Sequence, residues 1–356
     1  MHETPANRGG EAGDRLLVNF FYAPPVGHTI EALHYCLGHH LADPAREVSV
    51  VLNAAGAVEL AGFCPFVSNV HAVDHPLLEP CPDSAARQAG IPRRWEWVVE
   101  DFRRGQDIQL AMFPGLRDYY LASDRLLTAT RARTYVGSSR PGYVAHQQLR
   151  SLYPSAGSWL LILDALADAF PGLEIALIGK LGRDTRTTTS FAPADLAELL
   201  AHRSRPLDCF DVELAEQLAV VEACDLFLAP HTGFGMAALA VGTPWLALSG
   251  GRWFEYFFNR IPFRSIIPDP ERYPSFTQFT PAPVIDDGGE GARTPSMSAA
   301  RVRDDLDRIV AAAGELLGGS LTYERALRDY FAALLAAHGG DASAIWSIDG
   351  VHSGYI

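Results

Sequence analysis

Residues 225–251 read DLFLAPHTGFGMAALAVGTPWLALSGG. The opening DLFLA has the length and composition of a buried strand. Pro230-His231-Thr232-Gly233 then makes a tight loop. Residues 235–241 are small and apolar at helical density, and PWLALS (244–249) reads as the next strand. A strand, a glycine-bearing turn, a short helix and another strand form a β-α-β unit with parallel strands. At such a turn the first N–H groups of the helix have no partner within the helix, and the helix dipole adds positive potential. Gly233 and Gly235 would let a ligand approach the backbone, the Thr232 hydroxyl would add a hydrogen bond, and a diphosphate fits these physics. A plain βα turn with a glycine for tightness fits them too.

The same alternation extends outward. EIALIG (174–179) reads as a strand ending at Lys180, 193–201 as a helix, and 208–210 as a short strand. Asp211 is expected to cap a helix carrying Leu214, Leu218 and Val221. Upstream, Ser158 is the expected cap of a helix that stops at Pro171-Gly172. RLLVNFFY (15–22) reads as a strand, and a turn containing Pro24, Pro25, Gly27 and His28 leads into a helix with Ile30, Leu33, Leu37 and Leu41. EVSVVLN (47–53) reads as a second strand, 54–61 as a short helix and 67–73 as a third strand. Residues 75–150 give no clear pattern. Residues 262–297, rich in Pro, Gly and Asp, read as a long loop. Two amphipathic helices, 299–317 and 323–338, close the chain.

These readings predict an α/β protein with two similar domains. A flexible tail covers 1–14, an N-terminal domain 15–150 and a C-terminal domain 151–320. Residues 321–356 hold the last helix and a tail. A chain of 356 residues suits about two domains at roughly 150 residues each.

Charge and composition exclude several classes. Twenty-nine basic against 42 acidic side chains leave a net charge of −13, which argues against nucleic-acid binding and anionic membranes. No apolar run approaches the ~20 residues that span a bilayer. The acidic, polar start is unlike a signal peptide. Five scattered cysteines without a CxxC suggest buried thiols in a reducing cytoplasm and no zinc site. His71, Asp74 and His75 have metal-like spacing but no evident third ligand, so no metal is expected. Lys180 is the only lysine among the 29 basic residues. It follows a strand at the sheet edge where open α/β folds bind ligands, and a cation there can neutralise phosphate. His28 lies at the matching edge of the first domain, where a neutral imidazole can take a proton from a hydroxyl; it would otherwise be a plain helix-start residue.

Together these segments resemble the glycosyltransferases of the GT-B fold, in particular family 9, the lipopolysaccharide heptosyltransferases. That family carries D-[ST]-G-x-x-H after a strand, then small residues and a G-T-P-x-x-x-L-x-G strand. His231-Thr232-Gly233-Phe234-Gly235-Met236 and Gly242-Thr243-Pro244 through Leu248 and Gly250 match it. The family's motif Asp is His231 here, and its motif His is Met236. Gly27-His28 matches a G-D turn whose Asp is the family's proposed base; sugar transferases of secondary metabolism use G-H at a similar place.

The resemblance implies two Rossmann-like domains facing each other across a cleft, and an inverting, metal-independent transfer of a sugar from a nucleotide-diphosphate donor to an acceptor hydroxyl. No cofactor is implied. His28 would be the base, with Pro25 and Gly27 shaping the acceptor turn. Lys180, Glu213, His231, Thr232, Gly233, Phe234, Gly235 and Met236 would form the donor site, with Glu213 near the base and ribose. A cytoplasmic monomer or dimer is expected. An epimerase or hydrolase of nucleotide sugars, or a non-catalytic nucleotide- or sugar-binding protein, are the alternatives.

Overall fold

Continuous apolar runs such as VSVVL need cover on both faces, and parallel strands joined by helices supply it. In the computed structural model this is how both ends of the chain are built. The structure describes residues 15–20, 26–73, 153–182, 191–230, 232–250, 260–274, 283–288 and 291–345. The expected tail 1–14, the unpatterned stretch 75–150 and Pro25 lie outside them. The chain divides into two compact units, Met1–Pro24 with His28–Leu126, and Leu127–Ile356 with Pro25–Gly27.

In the first unit, β1 (Arg15–Phe20), β2 (Glu47–Asn53) and β3 (Asn69–Val73) form a parallel sheet in that order. Its register pairs Arg15 with Glu47 and Ser49 with Asn69. Helix α1 (Val26–Ala42) makes the crossover from β1 to β2. The expected helix at 54–61 is instead a 3₁₀ segment, Val58–Phe63. It is one short run after an Asn53 side chain that accepts the Ala55 N–H at 2.9 Å.

Helix α1 is buried from Val26 to His39 apart from His28. Thr29, Glu31, His34 and His39 are polar side chains inside it. His34 Nδ1 donates to the Ile30 carbonyl at 2.9 Å, which suits a neutral ring.

The second unit begins with α2 (Ala156–Ala169). Its cap is Ser155, not Ser158: Ser155 Oγ accepts the Ser158 N–H at 3.1 Å. Four helical residues preceding the obvious apolar stripe hid this start. Strands β4 (Ala176–Gly179) and β5 (Leu207–Phe210) pair in parallel, connected through α3 (Pro193–Leu200). After α4 (Leu214–Ala223), strands β6 (Phe227–Pro230), β7 (Trp245–Leu248) and β8 (Phe263–Ile266) form a second parallel group, with α5 (Gly233–Ala240) between β6 and β7. Among the described residues these two strand groups share no ladder, where the sequence had suggested one alternating unit.

Strand β8 also corrects the reading of 262–297 as loop. That stretch further holds a two-residue hairpin, β9 (Ile285–Asp286) with β10 (Ala292–Arg293). Only four residues long, β8 was hidden among Pro and Gly. It is held because Phe263 and Ile266 point into the core and Arg264 outward to charge.

Two long helices cover this sheet. Helix α6 (Ala299–Leu317) starts with its Ala299 N–H on the Asp287 carboxylate, at 2.9 and 3.2 Å, and packs along α2 and β8. Helix α7 (Tyr323–Ala337) packs on β8, with the Tyr330 ring edge-on to Phe263 at 5.7 Å. Within 321–356, the segment whose helix the family resemblance would pack on the N-terminal domain, α7 packs on the second unit's own sheet, and 346–356 lies outside the described residues. Arg264 joins the three elements through Glu315 of α6 and Asp329 of α7, at 2.6 and 2.8 Å. Deeper in, Arg301 has no exposed surface; its Nε donates to Asp305 at 2.7 Å and a terminal nitrogen donates to the Ile266 carbonyl.

Burial drives the pKa of His34 from its ordinary 6.5 down to about 4, and that of His39 likewise, helped by the Arg46 charge. The unfolded chain protonates these rings below about 6.5 while the folded chain resists until about 4. Their contribution is therefore complete above pH 6.5 and is lost as pH falls from 6.5 toward 4. Scanning calorimetry from pH 7 to 4.5 should show a falling unfolding temperature. His34→Asn should flatten that slope by an amount on the order of 1–3 kcal/mol. An unchanged slope would mean His34 is not buried neutral.

Candidate functional site

The end of β6 carries the expected turn. Thr232 has extended backbone (φ −142°, ψ 156°) and caps α5: its Oγ1 accepts the Gly235 N–H at 3.2 Å. Because that oxygen accepts from the helix, its own hydrogen is available to donate outward. No acidic residue stands in the first turn of α5. The Gly233 and Phe234 N–H groups precede the bonded one and belong to those a helix cannot satisfy itself.

The residues behind this turn have other work. A Cβ on Gly235 would lie 2.2 Å from Cζ2 and 2.4 Å from Cε2 of Trp245, so glycine is required there by the indole beneath it. The sequence reading gave that glycine to the ligand; packing claims it. Met236 is buried in the core at 8% exposure, which gives its side chain a packing role beside the expected donor-site one. Phe234 turns its ring toward Phe227, centroids 5.6 Å apart. Gly233 is the first residue of α5 in helical conformation, so it is not held by a special φ. His231 lies outside the described residues.

Lys180 follows β4 directly and is half-buried. The next two N–H groups, of Leu181 and Gly182, donate to Asp211 Oδ1 at 2.9 and 3.3 Å. Asp211 sits in the left-handed region, φ 57°, and so does not cap α4 as expected. Its short acidic side chain instead fastens the loop that carries Lys180, a local role that makes such a φ tolerable for Asp. Glu213 takes the cap position of α4 without a capping hydrogen bond and is half-buried. Gln217 Nε2 of α4 donates to the Gly179 carbonyl, just before Lys180, at 3.2 Å. Helix α4 also packs on α5. Thus Lys180, Glu213 and Thr232 all follow the carboxyl ends of parallel strands, linked by one helix.

Gly27 is buried in the first turn of α1, and His28, the next residue and part of the first unit, has 26% of its side chain exposed. His28 Nδ1 lies 3.5 Å from Glu31 Oε2, and the Tyr35 hydroxyl donates to Glu31 Oε1 at 3.2 Å. Glu31 was not singled out from the sequence, though H-x-x-E at helical spacing was there to see. His71 lies on β3, whereas Asp74 and His75 are outside the described residues; among the described residues no three His, Cys, Asp or Glu gather as a metal site. No described helix is long and apolar enough to cross a membrane.

No family model matches the chain, and no curated protein does. Several solved structures are similar. A glycosyl transferase family 9 protein from Veillonella parvula is 13% identical, with a TM-score of 0.48 over 88% of this chain and 100% of its own. The Escherichia coli ADP-heptose lipopolysaccharide heptosyltransferase II is 13% identical, with a TM-score of 0.45 over 84% of this chain and 99% of its own. An E. coli heptosyltransferase solved with ADP is 11% identical, with a TM-score of 0.44 over 83% and 100%.

The contact under α5 gives a direct test. Gly235→Ala should lower the urea midpoint by an amount equivalent to about 1–3 kcal/mol or more, the cost of overpacking a filled core. Gly62→Ala, where a Cβ meets nothing within 4 Å, is the control and should change the midpoint little. Equal effects would show that Trp245 does not set residue 235.

Proposed function

We propose that this chain is a glycosyltransferase of GT-B type that transfers a sugar, with inversion and without a divalent metal, from a nucleoside-diphosphate sugar to an acceptor hydroxyl. The observation that carries this reading is the start of α5: a capped, acid-free helix end after a parallel strand, with a hydroxyl free to donate. Thr232 would donate to a diphosphate oxygen alongside the Gly233 and Phe234 N–H groups. Lys180, on a loop fastened by Asp211, would offset the charge, and Glu213 would meet the ribose. His231 would complete the turn.

In the reaction, His28 accepts the proton of the acceptor hydroxyl as its oxygen bonds to the anomeric carbon. The bond from that carbon to the diphosphate oxygen breaks, and the diphosphate leaves with the electron pair. A single displacement inverts the configuration. The barrier falls through positioning and through donors already aimed at the leaving oxygens. The burial of Met236 bears on the sugar. Family 9 has a histidine at this motif position and this chain a buried methionine, so a heptose preference is not carried over to this chain.

Isothermal calorimetry should detect a nucleoside diphosphate binding equally with and without EDTA. At 100 times its dissociation constant that ligand should stabilise the chain by about 2.7 kcal/mol. Thr232→Val should weaken binding by about 0.5–3 kcal/mol and Thr232→Ser should restore it. His28→Ala should cut turnover by about 10²–10⁴-fold with nucleotide affinity unchanged, since the two groups belong to different units. Binding abolished by EDTA would refute the metal-free mechanism. Tight nucleotide binding with no turnover for any donor would favour a binding protein instead.

A further inference from the structure

We propose that Glu31 is the positioning residue for His28: its carboxylate holds the Nδ1–H edge of the ring, leaving Nε2 as the proton acceptor, and Tyr35 holds the carboxylate in turn. This rests on the reading of His28 as the base. Positions 28, 31 and 35 fall on one face of α1 by helical spacing. Exposure falls along the row, from 26% of the His28 side chain to 8% for Glu31, with Tyr35 buried. A reactive ring at the surface is thus backed by a carboxylate in the interior.

A buried carboxylate is costly unless its oxygens are engaged. Tyr35 engages Oε1 at 3.2 Å, and Oε2 faces the imidazole at 3.5 Å. That separation is an ion-pair contact slightly longer than a hydrogen bond, and contacts of this kind in ligand-free sites can shorten once substrate is bound. A neutral imidazole carries one N–H. With the proton on Nδ1, the ring offers a donor to an oxygen that can only accept. With the proton on Nε2, a nitrogen lone pair would face a carboxylate oxygen, a repulsive arrangement, and Nε2 could take no proton from a substrate. When Nε2 accepts the acceptor's proton, the resulting imidazolium finds a carboxylate already beside it. A neighbouring carboxylate that sets tautomer and orientation can matter by several orders of magnitude in other histidine-dependent active sites.

The test reads the tautomer directly. Histidine-selective ¹⁵N labelling and two-bond ¹⁵N–¹H correlation in alkaline buffer, with His28→Ala to assign the signal, should show His28 as the Nδ1–H form in the native chain. In Glu31→Leu/Tyr35→Phe, which removes both polar partners while keeping apolar bulk, the signal should move to the Nε2–H form. Turnover should fall about 10–10³-fold with nucleoside diphosphate affinity unchanged. A native ring in the Nε2–H form overturns the proposal, and this reading needs no variant to fold. An unmoved tautomer in the double variant, or a moved tautomer with native turnover, overturns it equally. The spectrum requires no substrate. Failure of glycosyl transfer itself would appear separately, as absent turnover in the native chain with its tautomer intact.

Discussion

Helix α5 can lie on β7 only because nothing projects from residue 235. Trp245 has no exposed surface, and its indole fills the space where a Cβ would stand. Ala237, Ala238 and Ala240 continue the close approach along the helix, all fully buried. This fixes the height of the helix above the sheet, and therefore where its first turn begins. The Thr232 cap, the donors of that turn and the end of β6 inherit their placement from one side chain in the core. A site of this kind needs little of its own sequence, because the scaffold beneath it carries the precision.

The first unit solves a different problem. Helix α1 is buried nearly all round yet carries four polar side chains in its interior stretch, and each polar group there must be settled within the unit or by a neighbouring turn. His34 spends its N–H on the carbonyl four residues back. The Tyr35 hydroxyl donates to the Glu31 carboxylate. Only His28, at the start of the helix, combines substantial exposure with this internal support. The helix thus separates histidines kept uncharged by burial from one nearer the surface, the one proposed as the base.

Much of this was legible in the amino-acid order. Periodicity gave the strands of the first sheet, the β4–α5 alternation and both final helices, because buried parallel strands and amphipathic helices write strong patterns. What failed was local and physical. Four residues of β8 were outvoted by flanking prolines, because a strand buried at its two ends, Phe263 and Ile266, shows no alternation to set against them. Asp211 looked like a cap because caps and left-handed turns draw on the same short acidic side chains. Gly235 looked like a ligand residue because sequence cannot show that an indole ten residues later will occupy its Cβ position. Met236 was assigned by its place in a motif, whereas its burial is decided by which face of α5 meets the sheet. Glu31 was passed over because an acidic residue inside a helix usually lies on a solvated face.

Arg301 leaves one more consequence. Its charge ends with no exposed surface, yet its carboxylate partner lies on the same helix, one turn on. The pair can therefore close as soon as α6 winds, while water still surrounds it. The guanidinium then crosses into apolar surroundings already compensated, and the Ile266 carbonyl completes its contacts only on arrival. Docking a sheet edge against an unwound segment would instead strand an isolated charge in the interior. The placement of a single acid on the same helix thus lets this charge enter the interior as half of a pair rather than alone.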